Sequence, residues 1–523
     1  MPTDPSAEPS QPPQRPRRRM PGELQGKPQR ARRPVPGELR GRAQRVMRAK
    51  APPTVPIGIR GDDNGLTEWH SRSVIDLALR VGETMLATGA SASDVTATVL
   101  RLTRAYGVRS VHVDVTYTSI TVSYHRGVMR DPLTVMRIVP ALAADYGRLE
   151  AIHTLVRDVV EDPGEVGAAQ DRLERILAVH HPYRRGVVTV AIGLLGAAIT
   201  TLLEGSWALV LLSLVISMVI DRVQRFISLR GVSAFFTQAV GAAIPTTVVV
   251  LLWTVVPQSQ RAELGLNNLS ALIATTIVVL LSGLAVVSAA LETLDGYYLT
   301  AAARTFEVVI LSVGVATGIT TVLAIAQRFE VQMPFTAASV TLTPGLVLGM
   351  AASAMIAAAH SVASYTGLRG TLFAMGVAAF SWLMYWATNM WAAPPTWFDS
   401  KALHQETGSD HGILAAIPAT FVAAVAAGAV AQLVAVRYRV PSLAVTAAAI
   451  IPLLPGLSLF NGIYQLVHSA SDPAKGVGSL ITAAALGLAL AGGISLGALP
   501  LRLLRADRVQ RRILRRSVAD TRD

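Results

Sequence analysis

The chain has no cysteine, so it forms no disulfide, no iron–sulfur cluster and no thiolate metal site. Charge is nearly as scarce: Asp, Glu, Lys and Arg make up 15% of its 523 residues, and aromatic residues make up 6%. A soluble globular protein carries far more charge, and here hydrophobic residues reach 51% with a mean hydropathy of +0.44. The chain also lacks the H-E-x-x-H, P-loop and G-x-S-x-G patterns, so metalloprotease, nucleotide-driven and serine-hydrolase chemistry have no foothold. Glu150 and His153 form one E-x-x-H pair, but a di-iron bundle needs a second pair and two further carboxylates. No enzymatic activity, catalytic residue, cofactor or metal is therefore expected.

What the chain does have is one apolar run after another from about Gly186 to Leu501. Runs of about 20 apolar residues match the roughly 30 Å hydrocarbon core of a bilayer. Ten spans are predicted near 186–203, 207–220, 232–256, 269–291, 298–326, 334–360, 371–391, 411–436, 441–464 and 478–500. The second is short unless it runs on toward Phe226. Loops on one side carry Arg184, Arg185, Arg222, Arg225, Arg230, Arg304, Arg369, Arg437 and Arg439, whereas the opposite loops carry Arg261, Arg328, Lys401 and Lys475. Cations gather on the cytoplasmic side, so both termini are expected there, in the plasma membrane of a bacterial cell. Trp207, Trp253 and Trp391 all fall near the predicted outer surface.

The net charge of +13 resides in the two tails. Residues 1–65 hold 14 Lys/Arg against 6 Asp/Glu, and residues 502–523 hold 8 against 3. The first tail, rich in Pro and Arg, is too poor in apolar residues to order itself, and it lacks the apolar core of a signal peptide. Both tails are expected to meet membrane lipid, anionic lipid in particular, rather than nucleic acid. Between the first tail and the membrane, residues 66–183 read as a small cytoplasmic α/β domain. Val74, Leu77, Ala78, Val81, Met85 and Leu86 recur at helical spacing up to Gly89, and Ser91 with Asp94 opens a second helix. Alternation from Val111 to Tyr117 and from Ile120 to Tyr124 predicts two antiparallel strands, with a third near 135–139. Two polar helices, 145–160 and 165–180, complete it. His180 and His181 read as an ordinary helix end at the membrane.

The fold class is thus a polytopic α-helical membrane protein of about ten transmembrane helices in two halves, 184–330 and 331–501, preceded by the α/β domain. Leu281-Ser282-Gly283-Leu284 in the fourth span and Leu454-Pro455-Gly456-Leu457 in the ninth look alike, and five spans between them would make the halves inverted repeats. Pro452, Pro455 and Gly456 break the ninth span; freed backbone groups at membrane depth must face protein or a water-filled cavity. Thr343-Pro344-Gly345 is a further break in the sixth span. Ser282, Gly283, Pro455, Gly456, Ser458 and Asn461 are the substrate-binding candidates, with Gln465 adding polarity nearby. Glu292, Asp295, Arg304 and Glu307 are the proton-coupling candidates, because ionisable groups near membrane depth are costly and are paired or functional. Arg304 and Glu307, three apart, would share a helix face and pair. The alternative for this cluster is an interfacial salt-bridge network that orients a loop.

At these residues the chain resembles the threonine/serine exporter family. The resemblance rests on Gly82-Glu83 and Gly89-Ala90 in the paired helices, on Asp295-Gly296 with Arg304 and Glu307, and on Pro452-Leu453-Leu454-Pro455-Gly456 with Gly462. It spans about residues 70–500 and leaves out the basic arm. It implies a secondary transporter exporting the small amino acids threonine and serine in exchange for protons, with the substrate and protons as its small-molecule partners; relatives split into two components export dicarboxylates. Ser282 stands where the family often has Pro, and His468-Ser469 occupies the place that Asp295-Gly296 holds in the first half. A dicarboxylate exporter is the alternative of the same class. A membrane-anchored sensor or enzyme acting through residues 66–181 is the alternative of another class, and a passive channel is a third. Oligomeric state is left open, a homo-oligomer included.

Overall fold

A computed structural model of the chain describes residues 67–126, 131–139, 143–179, 181–266, 269–280, 283–331, 345–392, 411–468 and 473–519. Two helices come first, α1 (Glu68–Ala87) and α2 (Ala92–Ala105). Thr67 caps α1, and Ser91 accepts the Asp94 amide at 3.2 Å to cap α2, as the Ser-x-x-Asp spacing predicts. The turn between them needs Gly89 at φ +96, a left-handed conformation that costs glycine nothing. Gly82 then sits where the helices cross, since a Cβ there would come within 3.1 Å of Val99.

Three strands follow, β1 (Val111–Val115), β2 (Ser119–Tyr124) and β3 (Leu133–Ile138), forming an antiparallel sheet in sequence order with Val113 opposite Val122 and Val122 opposite Val135. The alternating pattern turns Val111, Val113, Val115, Ile120, Val122 and Tyr124 onto the buried face against α1 and α2. Arg137 on β3 clamps the sheet to α1 through Asp76 at 2.9 Å and Glu83 at 2.8 Å. Helices α3 (Tyr146–Glu161) and α4 (Val166–Ala178) close this region.

The remainder is helical. In chain order it comprises α5 (Arg185–Leu202), α6 (Trp207–Ser228), α7 (Ala234–Val255), α8 (Leu269–Leu280), α9 (Gly283–Leu294), α10 (Tyr298–Arg328), α11 (Leu346–Ala363), α12 (Leu368–Ala392), α13 (His411–Tyr438), α14 (Ser442–Ile450), α15 (Gly456–His468) and α16 (Pro473–Ala519). A single 3₁₀ turn, Ile451–Leu453, links α14 to α15. Eight of the described helices are long and apolar enough to cross a membrane, or ten spans if each bent pair, α8 with α9 and α14 with α15, counts as one. The second span does run on past Phe226, to Ser228. Trp207 and Trp391 are exposed at helix ends, and Trp253 stacks on Arg261 at 3.8 Å.

Neighbour relations repeat between α5–α10 and α11–α16. In the first set α5 packs on α6, α7 on α10, and α8 on α5, α6 and α7; in the second, α11 packs on α12, α13 on α16, and α14 on α11, α12 and α13. The two sets also exchange partners in a matched way, α9 against α16 and α15 against α10. With each bent pair counted as one span, each set holds five, the odd number that an inverted repeat requires.

Candidate functional site

Both bent spans bend where the sequence breaks them, by 44° between α8 and α9 and by 52° between α14 and α15. Proline supplies the second break: Pro452 is the second residue of the 3₁₀ turn, Leu454 takes an extended conformation, and after Pro455 the helix restarts at Gly456. The two breaks touch. A Cβ on Gly283 would lie 2.7 Å from Leu454 Cβ, so only glycine permits the crossing. Pro455 and Gly456 are buried, Ser458 and Asn461 half-buried, and Asn461 Oδ1 has no hydrogen-bond partner among the described residues. Gln465 accepts from Ser479 on α16 at 3.3 Å, which ties it to helix packing. Ser282, Thr343 and Pro344 lie outside the described residues, whereas Gly345 caps α11.

A polar group that the sequence reading missed supports the first break. Gln238 on α7 donates to the Leu280 carbonyl at 3.3 Å, and Gln224 on α6 donates to Gln238 at 3.2 Å. Two glutamines in largely apolar helices are the signal that would have found them, because an amide at membrane depth needs a partner.

The ionisable cluster lies where α9 turns into α10. Gly296, at φ +89, reverses the chain, with the Tyr297 amide donating to the Glu292 carbonyl at 2.8 Å. Arg304 then faces back onto Glu292, its Nε 3.1 Å from each carboxylate oxygen, and Glu292 is 1% exposed. This corrects the expected pairing of Arg304 with Glu307. Spacing along one helix proposes Glu307, but the reversal at Gly296 offers a buried carboxylate with both oxygens in reach. Glu307 instead accepts from the Tyr117 hydroxyl, and Arg304 lies over the Tyr117 ring at 5.5 Å. Burial first, and then Glu307, holds the Tyr117 phenol above its ordinary pKa. Asp295 accepts from Ser93 on α2 at 2.6 Å.

All four coupling candidates therefore gather in one cluster, and the α/β region completes it. Tyr297 donates to Thr96 at 2.9 Å, and Thr300 lies 3.4 Å from the Val115 carbonyl. A second seam joins the same region to the turn after α11: the Tyr146 amide donates to the Ser364 carbonyl at 3.0 Å, Tyr183 to the Thr366 carbonyl at 3.0 Å, and His181 stacks on Tyr365 at 4.2 Å. Glu150 and His153 lie on α3, where burial pushes the Glu150 carboxyl up and the His153 imidazole down. His180 lies outside the described residues. Asp221, buried at the end of α6, pairs with Arg185 and accepts from Thr189 at 2.7 Å; the sequence reading passed it over.

Two models of the threonine/serine exporter family match the chain, over residues 76–326 and 410–499. A "probable threonine/serine exporter" of Mycobacterium tuberculosis is 30% identical over 458 residues, covering 86% of this chain and 81% of the relative. A threonine/serine exporter of Corynebacterium glutamicum is 28% identical over 452 residues, covering 86% of each. No solved structure matches. Apolar spans in two matched sets, broken where they cross, define a multi-pass membrane protein. The sequence matches place it further, and the chain belongs to the threonine/serine exporter family.

Proposed function

We propose that this transporter exports threonine and serine from the cytoplasm in exchange for protons. The observation that carries the reading is the meeting of two broken spans at Gly283 and Leu454, the second of which also holds the Asn461 oxygen, without a partner among the described residues. Helix breaks at membrane depth present carbonyls, amides and helix ends to a zwitterion, and a carboxamide oxygen accepts from its ammonium or hydroxyl. Gly283, Pro455, Gly456, Ser458 and Asn461 are the proposed substrate contacts, with Ser282 beside them. Asp295 and Glu292 are the proposed proton carriers, poised by Arg304 and Glu307 on the side where both termini lie, the cytoplasm. The substrate named for the two relatives supports the choice of small hydroxylated amino acids. No feature described above favours a dicarboxylate, a sensor or a channel.

The test is efflux of labelled threonine from cells preloaded with a threonine dipeptide, with and without the protein and with a protonophore. Expression is expected to speed efflux, and the protonophore to abolish the gain. Asp295→Asn should remove gradient-driven efflux while the protein still inserts; unchanged efflux in that variant would reject the coupling role.

A further inference from the structure

The α/β region does more than border the membrane helices, because its own hydroxyl groups reach the carboxylates at the α9–α10 turn. Residues that cap and start α2 are the ones that make contact. Ser91 caps the helix, the Ala92 amide faces Glu292, and Ser93 Oγ donates to Asp295 at 2.6 Å. The positive end of a helix dipole therefore abuts two carboxylates, and one side-chain hydroxyl is fixed on a named oxygen. From the β1–β2 turn, Tyr117 donates to Glu307 and covers Arg304. Two hydroxyls from two separate elements thus serve two of the four ionisable groups, while Arg304 serves a third.

We propose that the α/β region is a working part of the exporter, in which Ser93 and Tyr117 are positioning residues that hold Asp295 and Glu307 in the geometry for proton exchange. The inference rests on the coupling reading above and extends it to a region outside the membrane. Other groups facing this site are Glu292 on α9, Tyr297 on the turn, Arg304 on α10, Asp94 on α2 and Asp114 on β1. Asp94, Asp114 and Asp295 all bear on the Tyr297 hydroxyl, so the turn is ringed by carboxylates. A hydroxyl donating to a carboxylate favours its ionised form, so removing it makes the carboxylate take a proton at higher pH.

The experiment measures threonine efflux per inserted protein across a range of cytoplasmic pH, in cells expressing the full chain. Variants are Ser93→Ala, Ser93→Thr, Tyr117→Phe and, as the reference, Asp295→Asn. Ser93→Ala should shift the pH of half-maximal efflux upward by about one unit, the size of one hydrogen bond to a charged group. Ser93→Thr, which keeps the donor, should return the profile toward that of the native chain, and this rescue separates positioning from a fold defect. Tyr117→Phe, which takes the hydroxyl from Glu307, should lower efflux per inserted protein. A native profile in Ser93→Ala and native efflux in Tyr117→Phe, with Asp295→Asn inactive, would overturn this inference alone. Native efflux in Asp295→Asn would overturn the coupling reading and this inference with it.

Discussion

A buried carboxamide oxygen left without a donor costs about 1–3 kcal/mol, and the Asn461 oxygen meets none among the described residues, which is why it stands among the proposed substrate contacts. Asn461→Leu keeps the volume and removes the acceptor. The half-saturating internal threonine concentration should rise about tenfold, the equivalent of one hydrogen bond, with the amount of inserted protein unchanged. Concentration-dependent efflux measures it, and unaltered saturation would remove Asn461 from the substrate contacts. Glu292 and Arg304 illustrate the opposite arrangement, a buried pair whose groups satisfy each other. Such a pair is costly to break by removing one partner, about 3–5 kcal/mol. The sequence made both residues conspicuous but not their partnership. Helical spacing sees neighbours three or four apart, and a chain reversal at Gly296 lies beyond its reach.

Breaks in helices are legible wherever proline makes them, and α14 to α15 is the example. Pro452, Pro455 and Gly456 mark the bend to within a residue. The bend between α8 and α9 has no proline, and its legibility came from likeness to the other element. What holds it is tertiary: the Leu280 carbonyl is met by Gln238 from α7, and Gly283 is pressed by Leu454. Neither contact is visible in a linear pattern. The close approach gives a direct test of whether the crossing matters. Gly283→Val inserts a Cβ into space already filled by Leu454, and overpacking of this kind costs about 1–3 kcal/mol. Efflux should fall about tenfold or more, and Leu454→Ala in the same chain should recover part of it. If Gly283→Val exports normally, the crossing has no part in transport. The matched neighbours of the two five-span sets follow from the same arrangement, since each broken span packs within its own set while one end reaches the other set.

For the whole molecule, the boundary between the α/β region and the membrane helices is covered by one shared core. Tyr297, Ala444 and Ala447 are buried in the same cluster as Val95, Val99 and Ile120, with Leu284 and Leu443 packed against it. The α/β elements read clearly from alternation and capping, but this sharing did not, because Ala444 and Leu443 look like ordinary residues of a span. Deleting residues 67–179 should therefore leave α14 and the α9–α10 turn without their packing, and the truncated chain should accumulate in membranes at less than about a tenth of the native level, as a loss of several buried side chains predicts. Immunoblotting of a tagged chain measures this, and native accumulation would mean that the membrane helices stand alone. The shared core also sets an order of events during synthesis. The α/β region leaves the ribosome first, yet the residues that complete its core lie in the ninth span. At roughly 5–20 residues per second, tens of seconds pass between the two. Tyr297 and Leu284 arrive partway through, but the face that Ala444 and Ala447 will cover stays open for the whole interval, and a chaperone or the bilayer surface would have to shield it.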